Sequence, residues 1–313
     1  MLPQISFMDN FFNKIPRRSS VLLFLFLCFD GFSQNRYEFS HQQMGTIFRI
    51  VLYAGDSSDA KVTADKAFKK LDELNLILSD YREDSEINQL CRNSFNIETK
   101  VSTDLWKILK MSENAYKQTN GKFDVTIGPM TQLWRRMKRQ KQLPTTEQIQ
   151  TARSKVGFEN IVLNSSNQTV LLKKEGIRLD FGGIGKGYAE DEMMKILKEN
   201  GVKSAMIEGG GNIVVSDSPP NQKGWTVEIN KQVYSLKNCG ISTSGDLYQF
   251  VEIDGKKYSH ILEPSTGIGM TNPIQKSVIA KDGTTSDWIS TALCLMDSRV
   301  GEKLAKKLKV KVL

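Results

Sequence analysis

Histidine and cysteine are scarce in this chain, two and four among 313 residues. No two cysteines form a C-x-x-C pair, which argues against a zinc site or a disulfide framework. Cys91, Cys239 and Cys294 read instead as small buried hydrophobes. No apolar run reaches the roughly 20 residues that cross a bilayer as a helix. No dense basic tract interleaved with aromatics occurs, so nucleic acid is not an expected partner. The net charge of +8 would still help draw in a phosphate-bearing ligand. There is no internal repeat and no low-complexity linker. Two familiar phosphate loops are also missing. No frame fits G-x-x-x-x-G-K-[ST], and the glycine spacing fails G-x-G-x-x-G. Without regular βαβ alternation, this excludes a doubly wound nicotinamide-type oxidoreductase.

The N-terminus carries an address. Lys14, Arg17 and Arg18 precede an apolar run from Val21 to Phe29, followed by Gly31, Phe32, Ser33 and Gln34. A basic start, a short apolar stretch and small residues make a secretory signal. The expectation is a signal peptide over residues 1–34, cleaved near Ser33 or Gln34, and a catalytic domain over 35–313. The competing reading is a buried N-terminal helix. Leu27 precedes Cys28 where a lipoprotein signal carries small residues, which favours plain cleavage over lipidation. The implied location is the periplasm, with a membrane-anchored, periplasm-facing form as the alternative. Peripheral membrane association is compatible with either.

Periodicity supplies the elements. Residues Tyr37 to Tyr53 read as extended. Ala64, Ala67, Phe68, Leu71, Leu74 and Leu78 recur at helical spacing. Short helices follow over Ser85 to Leu90, capped by Asp84 or Ser85, and over Thr103 to Tyr116 behind Ser102. A loop, Gly121 to Pro129, leads to a helix holding Leu133, Trp134 and Met137, and Arg135 to Lys141 read as its solvated face. Thr145 to Val156 is a further helix. Ile161 to Leu163, Val170 to Leu172 and Ile177 to Phe181 read as strands. Tyr188 to Glu199 is helical, Ser204 to Ile207 extended, and helical runs begin near Ser286 and Val300. Mixed helices and strands without βαβ regularity indicate an α+β fold.

Four segments have the chemistry of a site. Gly182, Gly183, Gly185 and Gly187 lie between an extended segment and a helix, where backbone N–H groups and the helix dipole receive an anion. Lys186 adds a positive charge. A tight turn that needs glycine for close packing is an equal reading. Asp287, Ser290 and Thr291 fall at i, i+3 and i+4 on one helix face. They offer oxygen donors of the kind a hard cation takes, or, read alone, a capped helix. His260 sits at a strand end before a proline-containing turn. Lys122, Phe123 and Asp124 set an aromatic ring beside a carboxylate, or a capped turn with Phe123 in the core.

In order, these segments resemble the ApbE-like family of FAD:protein FMN transferases. The resemblance begins at Met44-Gly45-Thr46. It continues through Ser79-Asp80-Tyr81, Ser85-Glu86-Ile87-Asn88, GKFDVTIGP from Gly121 and LDFGGIGKGYAED from Leu179. It then takes in EGGGNI from Glu208, Thr243-Ser244-Gly245, the His260 segment and DWISTAL from Asp287. It implies one large T-fold-related catalytic domain of mixed helices and antiparallel sheet. It also implies Mg²⁺-dependent cleavage of the FAD pyrophosphate, with FMN carried to a threonine or serine of an exported or membrane flavoprotein and AMP released. Met44, Tyr81, Lys122, Phe123, Asp124, Asp180, Lys186 and Leu262 would line the FAD site. Gly183, through its carbonyl, with Asp287, Thr291 and Ser290, would hold Mg²⁺; Ser290 stands where relatives can carry an acidic ligand. His260 would serve as general base. Asn212 departs from the family pattern, where many members have aspartate. The rival readings are an FAD pyrophosphatase giving FMN and AMP, and a non-catalytic exported flavin-binding protein.

Overall fold

The computed structural model describes residues 34–313 except 246–249, 260, 264–265 and 272–274. The expected signal segment, apart from Gln34, and His260 therefore lie outside the described residues.

The chain opens with a hairpin, β1 (Asn35–Gln43) and β2 (Thr46–Ala54), followed by α1 (Ser57–Leu78) and α2 (Glu86–Asn93). After β3 (Thr99–Lys100) come α3 (Thr103–Gln118), α4 (Gly128–Gln140) and α5 (Thr146–Arg153). Next are β4 (Ile161–Asn164), β5 (Thr169–Leu172) and α6 (Gly185–Glu199). The strands β6 (Ala205–Gly209), β7 (Asn212–Val215), β8 (Trp225–Ile229), β9 (Gln232–Leu236) and β10 (Cys239–Gly245) follow. Last are β11 (Phe250–Ile253), β12 (Lys256–Ser259), β13 (Gln275–Ala280), α7 (Gly283–Cys294), α8 (Ser298–Leu308) and β14 (Lys311–Val312).

The main sheet has the order β1-β2-β6-β7-β10-β13-β14, and every neighbouring pair is antiparallel. Alternation along β2 shows how it is covered. Phe48, Ile50 and Leu52 point into the large core shared with α1, α6 and α7, while Val51 points the other way. There it meets Trp225, Val227 and Ile229 of the β8–β9 hairpin. The strand is therefore covered on both faces around Val51, while Ile47 and Arg49 before it stay exposed. A third cluster joins α4 and α5 to β12 through Met130, Trp134, Ala152, Tyr258 and Leu262. Among the described residues no helix is long and apolar enough to cross a membrane. Cys91 and Cys294 are buried and Cys239 is half-buried.

The helix signals translate directly where caps are local. Ser85 and Ser102 accept from Asn88 N and Leu105 N, and Thr145 forms a capping box with Gln148. Three expectations change. Residues 37–53 are two strands, because Met44 and Gly45 take φ of 50° and 74° and close a two-residue turn. The segment 177–181 joins no ladder. It runs beside the 121–128 loop, bonded by Asp180 N to Val125 O at 2.8 Å and by one bridge between Ile127 and Arg178. Helices α6 and α7 each start three residues early. Their first turns are glycine-containing, and glycine reads as loop by propensity alone.

Candidate active site

No side chain at its own N-cap position closes α6. Asp287 does so from another helix, its Oδ2 accepting from Gly187 N at 2.9 Å. The favour is returned: Asp191 of α6 accepts from Gly283 N at 2.8 Å and Thr284 N at 2.7 Å, at the start of α7. The two helix N-termini can meet because both carry glycine there. A Cβ on Gly187 would stand 2.2 Å from Gly283 O. The close-packing reading of the loop therefore holds: the glycines let the two helix ends meet, and the Asp287 carboxylate takes up the N–H of Gly187.

Asp287 is 2% exposed. Burial pushes its carboxyl pKa up, while the charge of Lys186 and donors at Gly187, Asn212 and Ser242 pull it down. Among the described residues Asn212 Nδ2 closes no hydrogen bond, although it lies near the carboxylate. Its Oδ1 accepts from Ser242 Oγ at 2.6 Å. Thr291 Oγ1 lies 3.0 Å from Ser244 Oγ and 3.1 Å from where a Cβ on Gly183 would stand. The glycine loop and the hydroxyl are thus in contact. Ser290 Oγ is taken up by Asp287 O at 2.9 Å, Ser242 Oγ at 3.1 Å and Ser244 Oγ at 2.7 Å.

Behind them Glu190 is wholly buried, with neither carboxyl oxygen hydrogen-bonded. Burial and the nearby Asp287 push its pKa well up. Among the described residues no group of three or more His, Cys, Asp or Glu could hold a metal. Mg²⁺ takes one or two carboxylates, other hard oxygens and substrate phosphates, and here a buried carboxylate, a hydroxyl and a loop carbonyl are available.

The other end of the loop faces a ring. Asp180 Oδ1 accepts from Gly182 N at 2.8 Å. Its Oδ2 accepts from Arg135 Nη2 at 3.3 Å, and Arg135 Nη1 donates to Asp80. The guanidinium carbon lies 4.1 Å from the centroid of the Tyr81 ring, and Tyr81 is 77% exposed. Arg135 thus leaves the solvated run in which the sequence placed it, because two carboxylates and a ring receive it.

The remaining predicted residues fall around this frame. Phe123 is buried rather than open for stacking. Its ring packs on Trp288 at 6.2 Å between centroids, beside Gly183. Asp124 Oδ1 accepts from Thr126 N at 2.8 Å and Thr126 Oγ1 at 2.7 Å, and its Oδ2 from Phe158 N at 3.2 Å. Lys122 Nζ is 3.9 Å from Glu263, the neighbour of Leu262, and Leu262 bridges to Gly269. The Met44–Thr46 turn and Lys186 meet at Gly210: a Cβ there would stand 3.2 Å from Thr46 Cγ2 and 3.3 Å from Lys186 Cε. Asp80, Arg135, Asp191 and Glu190 escaped the sequence reading as site residues. Asp80 and Asp191 sat inside quoted motifs, while Arg135 carried no signal beyond its place after Trp134.

Fold and site together define an α+β protein whose glycine loop has a buried carboxylate and a hydroxyl on one side and an exposed tyrosine backed by an arginine on the other. More narrowly, the chain belongs to the ApbE family, whose model matches residues 44–313. It is 29% identical over 301 residues to the FAD:protein FMN transferase of Chlamydia pneumoniae, covering 92% of this chain and 93% of that one. It is 28% identical over 288 residues to the protein of the same name from Haemophilus influenzae, covering 86% and 83%. Among solved structures, the apo form of Pseudomonas stutzeri flavinyl transferase ApbE aligns with a TM-score of 0.79 at 25% identity, over 90% of this chain and 91% of that one. The flavin transferase ApbE from Vibrio cholerae aligns with a TM-score of 0.78 at 26% identity, over 90% and 93%.

Proposed function

We propose that this chain is an FAD:protein FMN transferase that joins FMN to a threonine or serine hydroxyl of an acceptor protein and releases AMP. The family membership and the relatives' names support transfer. The observation that carries the chemistry is the meeting of Gly183, Thr291 and the buried Asp287 at the N-terminus of α6. In the reaction a P–O bond forms between the acceptor oxygen and the FMN phosphorus. The P–O bond to the AMP half breaks, and AMP leaves with the bridging oxygen. His260 takes the acceptor proton, a task suited to a neutral imidazole. Asp287, Thr291 and the Gly183 carbonyl would hold Mg²⁺, with Ser290 fixing the helix face behind them. When bound, the ion supplies charge neutralisation on the pyrophosphate. Lys186 would face the phosphates, and Tyr81 offers its open face to a ring. Met44, Lys122, Phe123, Asp124, Asp180 and Leu262 complete the FAD site through backbone or side-chain contacts. We further propose export to the periplasm on residues 1–34, where the acceptor, an exported or membrane-bound flavoprotein, would be met.

Release of AMP from FAD in the presence of an acceptor tests the roles. It should require added Mg²⁺ and stop with EDTA. His260→Ala should lower the rate by roughly a hundred- to ten-thousand-fold with FAD affinity kept. Asp287→Ala should lose the Mg²⁺-dependent activity far more than it loses the fold, with a melting temperature lowered by no more than the loss of a helix cap explains. Full turnover in EDTA, or a near-normal rate in His260→Ala, would remove the corresponding assignment.

A further inference from the structure

Arg135 is an arginine in a site read here as binding a dinucleotide, where the usual expectation is a phosphate contact. The geometry argues otherwise. Its side chain is 27% exposed, and its two partners are almost enclosed, Asp80 at 9% and Asp180 at 10%. One guanidinium nitrogen donates to each carboxylate, and its carbon lies 4.1 Å from the Tyr81 ring centroid. Two of the five guanidinium N–H donors are therefore held by carboxylates. With all three groups ionised the trio carries a net −1, which repels a phosphate and attracts an N–H donor. Asp180 extends the connection to the glycine loop through Gly182 N at 2.8 Å. Tyr81, held against the guanidinium, is still 77% exposed, a large aromatic surface that packing within the chain does not use.

We infer that Arg135 is a positioning residue of the nucleotide site: by gripping Asp80 and Asp180 and carrying Tyr81, it presents a flat, anionic-edged platform for a planar, N–H-bearing ring of the ligand. Both the flavin and the adenine of FAD have that chemistry. The inference rests on the flavin-nucleotide reading above. Lysine keeps the charge but lacks the planar fork that spans two carboxylates and stacks on a ring, so Arg135→Lys separates charge from geometry.

The test is equilibrium binding of FAD, riboflavin and adenosine, without Mg²⁺, to the wild-type chain and to Arg135→Lys, with melting curves and steady-state transfer kinetics beside it. Arg135→Lys should weaken FAD about tenfold, as expected for loss of a stacked, bidentate contact. KM for FAD should rise with kcat near wild type. The loss should reappear in full with riboflavin or with adenosine, whichever supplies the stacked ring, although neither has a phosphate. A variant that melts lower but binds all three ligands as the wild type does would make Arg135 a structural pin and overturn the inference. A loss confined to FAD, absent from both phosphate-free probes, would make it a phosphate contact and overturn it too. Failure of the wild-type chain to bind FAD would remove the flavin reading together with this one, whereas wild-type binding with an unchanged Arg135→Lys removes this one alone.

Discussion

Three carboxylates differ in how the fold surrounds them. Asp287 is held between burial, which pushes its pKa up, and Lys186, which pulls it down, and it is bonded to Gly187 N. Glu190 has no bonded partner for either oxygen among the described residues, and burial pushes its pKa well up. Asp80 lies between them in behaviour. Burial and the neighbouring Asp180 push its pKa up to about 6, against the pull of Arg135, with Tyr81 as the other titratable group beside it. Its ordinary value is 3.8, so the folded chain holds this proton more tightly than the unfolded one. The resulting stabilisation is complete below about pH 4 and is lost as the pH rises through about 6. Unfolding free energy measured from pH 4 to 6 should therefore fall more steeply in the wild-type chain than in Asp80→Asn, and equal slopes would contradict the assignment. At this scale Asp287, Thr291, Gly183 and Lys186 were singled out by the family resemblance, and the fold brings them together; type and spacing alone read equally well as a tight turn and a capped helix. Arg135 could not be read that way, since its meaning comes from Asp80 and Asp180, 55 and 45 residues away in the chain.

At the scale of elements, α6 and α7 depend on each other for their beginnings. Asp191 closes α7 and Asp287 closes α6, so the helix ends that face the ligand are fixed by the same contact that brings the acidic residue to the loop. Local signals place α2, α3 and α5 well, because Ser85, Ser102 and Thr145 cap them from within the sequence. They place α6 and α7 late, because α6 takes its cap from across the interface and α7 takes part of its own from there, and because glycines in their first turns mask the helix. Glycine at 187 is required by the backbone of Gly283, whose carbonyl oxygen would lie 2.2 Å from any Cβ placed there. Gly187→Ala should therefore cost about 3 kcal/mol of stability, the range of an overpacked core position. Gly55, with nothing within 4 Å of where its Cβ would stand, is the control, and Gly55→Ala should change stability by about 0.5 kcal/mol or less. Chemical denaturation of the two variants compares them, and a Gly187→Ala chain as stable as the control would refute the close-approach account.

At the scale of the whole molecule, a seven-stranded antiparallel sheet is covered on one face by α1, α6 and α7 and on the other by the β8–β9 hairpin. The α+β class was legible from the mixture of periods. The pairing order was not, because β10 joins β7 to β13 across long connections that carry no local signal. The fold sets the glycine loop between a hard-oxygen pocket and an aromatic platform, and that arrangement suits a ligand charged in the middle and flat at its ends. The direct test of the central claim is the intact mass of a candidate exported flavoprotein after incubation with this chain, FAD and Mg²⁺. A gain of one FMN on the acceptor, with an equal amount of AMP released and no gain in EDTA, is the predicted result. Free FMN and AMP with an acceptor of unchanged mass would contradict transfer and leave a pyrophosphatase in its place.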